Sequence, residues 1–82
     1  MVNDAYQPIA CADYDTYEIA IMQGRPLMMK WETDSGDTIE QSVKPIKLEI
    51  NDGAEYLNIE FKGLKSSKIR LDKILHAEII KT

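Results

Sequence analysis

Eighty-two residues with a mass of 9.4 kDa allow one small domain and leave no room for a second. Hydrophobic residues at 44% and charged residues at 29% are the mix of an ordinary soluble globule, which excludes disorder and fibrous repeats on composition. The net charge is −4, and one cysteine with one histidine can form neither an intramolecular disulfide nor a zinc cluster.

The chain opens with an extended lead-in over residues 1–11, because Pro8 keeps the residue before it out of the helical region. These first residues, MVNDAYQPIACADYD, lack the basic start and apolar stretch of a secretory leader. No apolar run reaches the roughly eighteen residues of a membrane span, so a reducing cytoplasm is the expected compartment. A helix is predicted from about Ala12 to Met22: the segment has no Gly or Pro, carries acids in its first turn, and stops before Gly24 and Pro26. At about 100° per residue, Tyr14, Tyr17 and Ile21 share a packing face, and Asp15, Glu18 and Met22 share a neighbouring wedge.

After Pro26 the period changes to two. Leu27, Met29 and Trp31 form the inward set of a first strand, and Asp34-Ser35-Gly36-Asp37 marks a tight turn. Ile39, Gln41 and Val43 return as a second strand up to Pro45, which cannot donate to a ladder and implies a bend, a bulge or an edge. Ile46, Leu48 and Ile50 are expected to resume the alternation. Asn51-Asp52-Gly53 is a second hairpin signal, followed by an inward set of Leu57, Ile59 and Phe61. A turn over Gly63 to Ser67, a fourth strand ending at Ile69 and Leu71, a short turn at Asp72-Lys73, and a last strand with Leu75, Ala77 and Ile79 inward complete the chain. One N-terminal helix and five short antiparallel strands in this order predict a mostly β fold, a small curled barrel over residues 26–81 with the helix across one open end.

The charge is segregated. Residues 1–24 hold Asp4, Asp13, Asp15 and Glu18 with no Lys or Arg, which accounts for all of the −4. Between residues 62 and 73, Lys62, Lys65, Lys68, Arg70 and Lys73 stand against Asp72, a local +4. The acidic part favours a basic partner, with Tyr6, Tyr14 and Tyr17 beside it; the basic part alone favours RNA or DNA phosphates. That basic part lacks the aromatic interleaving of a stacking platform.

Catalysis is poorly supported, and the expectation is no enzyme and no cofactor. Cys11 near a helix start lacks a base, since His76 is 65 positions away on a strand and points outward, so a small buried apolar role is expected for the thiol. Asp13 and Asp15 serve the helix dipole, an explanation that fades by Glu18. Gly24, Gly36, Gly53 and Gly63 sit singly at turns, so no phosphate-binding loop is indicated.

The opening YQPIACADYDTYEIA, with Tyr6-Gln7-Pro8-Ile9, Cys11, Asp13-Tyr14-Asp15, Glu18 and Ala20, resembles the start of the Rof family, the Rho-binding antiterminators of bacteria. Glu55-Tyr56-Leu57 and Arg70-Leu71-Asp72-Lys73-Ile74 extend the resemblance along essentially the whole chain, with least similarity from Lys44 to Gly53. It implies a single Sm-like domain over residues 1–82 that binds the hexameric helicase Rho at the primary RNA-binding site of its N-terminal domain and keeps RNA out. Carried over by position, Asp13, Tyr14, Asp15 and Glu18 are the expected contact surface, with Asp4 and Tyr6 beside them. The competing expectation is an Sm-like RNA-binding module that uses Lys62, Lys65, Lys68, Arg70 and Lys73.

Overall fold

The computed structural model describes residues 5–60 and 66–81. The helix α1 runs Cys11–Gln23, two residues longer overall than its sequence signals. Ala10, in extended conformation before it, accepts hydrogen bonds from the Asp13 and Tyr14 amides. Gly24 ends it with φ 65° and ψ 30°, a left-handed conformation that costs glycine little, while the Gly24 and Arg25 amides close on Ile21 and Ala20 carbonyls.

Five strands follow: β1 (Leu27–Glu32), β2 (Thr38–Asn51), β3 (Ala54–Glu60), β4 (Ser66–Arg70) and β5 (Ile74–Ile79), with a 3-10 turn, Leu71–Lys73, where a short turn was expected. All pairings are antiparallel, in the order β4-β3-β2-β1-β5. The expected closed barrel is not formed by hydrogen bonding: β4 and β5 end the sheet on opposite sides and do not pair among the described residues. What bends the sheet is β2, whose 14 residues pair with β1 through their first half and with β3 through their second. The register slips between Pro45 and Lys47, the bulge that a missing proline N–H forces on a ladder. Asp52 (φ 57°) and Gly53 (φ 80°) are both left-handed, the turn that lets two residues join β2 to β3 without splaying them.

The core is Tyr17 and Ala20 of α1 with Leu27, Met29, Trp31, Val43, Leu57, Ile59 and Leu71. β1 alternates buried and exposed along its whole length, as its sequence dictates. Two expected inward sets hold in part, with Leu48, Ala77 and Ile79 packed against the core, and each loses a residue to a bulge. Ile46 falls in the Pro45 bulge and is exposed, and Ile50 near the hairpin is 71% exposed, leaving Pro45 and the half-buried Leu48 to face inward. In β5, Lys30 pairs with His76 but Trp31 with Ile74, so Leu75 is the extra residue of a second bulge and is 57% exposed. Ile74, Ala77 and Ile79 take the inward positions. A strict two-residue period cannot register an inserted residue. Since β4 starts at Ser66, the expected turn over Gly63 to Ser67 is strand in its last two residues. Phe61 and Gly63 lie outside the described residues.

Candidate functional site

Packing against β2 and β5 fixes how α1 is rotated. Tyr17 and Ala20 are buried, Tyr14 and Ile21 flank them half-buried, and Asp13, Asp15 and Glu18 are exposed. No hydrogen bond or ion pair from a described residue engages those three carboxylates. Their presence is felt nonetheless: burial and then Asp13 push the Tyr17 hydroxyl up to about 12, and burial followed by Glu55 and Glu18 raises Tyr14. Of the expected tyrosines, Tyr17 is therefore core and Tyr14 borders it. Asp4 lies outside the described residues.

Tyr6 does something the sequence did not announce. Its hydroxyl donates to Glu55 Oε1 at 3.0 Å, across 49 positions of sequence. Next to it the Gln7 amide donates to Asp72 Oδ2 at 2.9 Å. Asp72 is gripped from its other side by Arg70, whose Nε and terminal nitrogen donate to the two carboxylate oxygens at 2.7 and 3.0 Å, a bidentate pair. The Arg70 guanidinium also lies 6.0 Å from the Tyr6 ring centre. This clasp ties the lead-in to β3 and to the 3-10 turn. Burial pushes the Asp72 carboxyl up, but the Arg70 and Gln7 hydrogen bonds and the nearby cations win and hold it below its ordinary value. Burial, and then the bond to Glu55, push Tyr6 up to about 12.

The basic segment is largely committed to the fold. Lys62 and Lys65 lie outside the described residues. Lys68 pairs with Glu49 at 3.3 Å and sits 5.2 Å from the Tyr56 ring centre; Arg70 is held by Asp72, and Lys73 is half-buried. Hydrogen bonds from Asn58 and then Lys68 lower the Glu49 carboxyl. The expected lack of aromatic interleaving is corrected here, because Tyr56 stands opposite Arg70 in the β3–β4 register and against Lys68. A cavity of about 500 Å3 opens beside them, also lined by Trp31, Glu32 and Asp34. Cys11 is an exposed thiol, not the buried apolar residue expected, and His76 is exposed 3.9 Å from Glu78.

Over 81 residues the chain is 38% identical to protein rof of Escherichia coli K12, covering 95% of this chain and 90% of that protein, and it matches protein rof of Shigella flexneri equally. The chain belongs to the Rof family. No protein-family model matches it. Three segments named in the sequence resemblance, 6–9, 55–57 and 70–74, are far apart in the chain, yet Tyr6, Gln7, Glu55, Arg70 and Asp72 meet in the clasp. Glu55 is the residue missed as a functional candidate: it lies close enough to both Tyr6 and Tyr14 to raise them, and its only sequence signal was its place in the Rof-like Glu55-Tyr56-Leu57. Among the described residues no helix is long and apolar enough to cross a membrane.

Proposed function

We propose that this Rof-family chain is a non-enzymatic cytoplasmic antiterminator that binds the transcription termination factor Rho at its primary RNA-binding site, blocks RNA loading and so inhibits Rho-dependent termination. The observation that carries this reading is α1, where Asp15 and Glu18 on its outer side and Asp13 in its first turn stand exposed without a counter-ion among the described residues. A site built for RNA must be basic, and carboxylates held on a rigid helix can take the place of phosphates there. Tyr14, half-buried beside Glu18 and Glu55, adds an aromatic rim to the same surface. The helix followed by five strands, bent around the shared β2, supports an Sm-like scaffold left open between β4 and β5.

Competition between this protein and a cytosine-rich RNA for purified Rho tests the reading. RNA is displaced, less so at high salt, and Asp15→Ala or Glu18→Ala each costs about 1–3 kcal/mol of binding where the carboxylate meets a desolvated Arg or Lys. Unchanged RNA binding at saturating protein sinks it.

One observation favours a second reading, an RNA-binding module: Tyr56 is interleaved with Lys68 and Arg70 beside the cavity on β3 and β4. An anisotropy titration of labelled RNA without Rho separates the two, since the module binds free RNA and the antiterminator does not.

A further inference from the structure

β5 is an end strand, paired with β1 on one side only. On its other side no described residue hydrogen-bonds to its main chain. Two cavities run along that free edge. One of about 190 Å3 is lined by Asp13, Thr16 and Tyr17 of α1 and by residues 74–77. The other, of about 520 Å3, is lined by Thr16, residues 77–79 and Lys81. Successive side chains of a strand point to opposite faces, so a cavity lined by three or four consecutive residues follows the strand's edge, not one of its faces. Thr16 and Ala77 line both cavities and join them into one trough, with α1 as its wall and the β5 main chain as its floor. Its six-residue floor is roughly 20 Å long at about 3.3 Å per residue, the reach of one short strand.

We propose that this trough receives an extended basic segment of the partner protein as a sixth strand on the free edge of β5, an inference that rests on the antiterminator reading above. An open edge of this kind is a ready template for strand addition, in which main-chain hydrogen bonds supply affinity and alternate side chains supply selectivity. Charge selects the occupant. Asp13 on the α1 side and Glu78 on the strand line the trough, against Lys81 at the far end and His76 near Asp13, while Asp15 and Glu18 lie on the other side of the helix. A strand with Lys or Arg at every second position turns those cations toward α1 while its apolar residues meet Leu75, which the bulge pushes out of the ladder.

The test is an NMR titration of the labelled chain with the acetylated, amidated peptide of alternating Lys and Val, six residues long. Alternate amides within residues 74–79 slow their exchange by about tenfold or more, and the effect is lost in Thr16→Arg, which fills the trough and offsets its negative charge, and weakened in Thr16→Tyr, which only fills it. Both variants fall at a half-buried helix position open to the cavities, and a thermal melt confirms that they fold. Shifts confined to α1, or a Thr16→Arg that binds like the parent, overturn the proposal. So does a concentration-dependent dimer in sedimentation that Thr16→Arg dissociates, because a second copy then fills the trough. In the Rho competition assay, a Thr16→Arg that displaces RNA as well as the parent overturns the trough and leaves the antiterminator reading standing. Failure of the parent itself to displace RNA overturns that reading, while the peptide titration still decides the trough.

Discussion

The outer side of α1 and the clasp at the end of β4 use the same chemistry, carboxylates beside tyrosines, and spend it in opposite ways. At the clasp Asp72 is saturated by Arg70 and the Gln7 amide, and Glu55 accepts from Tyr6. On the helix Asp13, Asp15 and Glu18 face water. Desolvation explains the split: the clasp is half-buried, where an unpaired charge is costly, and the helix face is solvated, where it is tolerated. A carboxylate's residue type therefore says little about its role until its neighbours are known.

Removing the frame beneath both regions gives the largest effect. Leu57→Ala, at a fully buried position, costs about 2–5 kcal/mol of stability in urea unfolding and erases the distinction between them. Asp72→Ala should strip the clasp alone, at about 2–3 kcal/mol, because it removes the carboxylate that the Arg70 guanidinium and the Gln7 amide both bind. The clasp also answers to acid. Asp72 titrates below its ordinary 3.8 in the folded chain, so its contribution is full above 3.8 and disappears as pH falls through the lower folded value; Asp72→Asn removes that part of the acid loss in urea midpoints measured down the acid range. Tyr6→Phe is smaller, about 0.5–1.5 kcal/mol. Because Tyr6 is raised from 10.0 to about 12, its stabilisation is full below 10.0 and lost as pH climbs through about 12, a loss absent from Tyr6→Phe. Smallest in stability, and the sharpest contrast, is the joint change of Asp13, Asp15 and Glu18 to Asn, Asn and Gln: unfolding moves by no more than about 0.5 kcal/mol while competition with RNA for Rho is lost. A large loss of stability there would mean that the helix acids, too, serve the fold.

Local signals were readable and register was not. Gly24 and Pro26 bounded the helix, Asn51-Asp52-Gly53 placed a hairpin, and Pro45 announced a bend, a bulge or an edge, of which the bulge is found. Exposed Ile46 and Leu75 were misassigned because each falls in a bulge, an added residue outside the ladder that leaves no mark on composition. At the site, the helical period separated Tyr17 from Asp15 and Glu18 correctly. Tyr6 with Glu55, and Tyr56 between Lys68 and Arg70, could not be read the same way, because those neighbours come from strand pairing across the sheet. Family likeness flagged the same segments without saying that they touch.

Among the described residues every strand pairing but one joins consecutive strands: β1 with β2, β2 with β3, and β3 with β4. The attachment of β5 to β1 alone must wait for most of the chain to be in place, since it closes a loop of some fifty residues, from Leu27 to Ile79. The last strand to arrive, held on one side only, is the natural first to depart. Opening there would free the trough's floor and leave the three-hairpin meander intact, so the surface assigned to a partner is the part of the molecule that ligand occupancy can steady most.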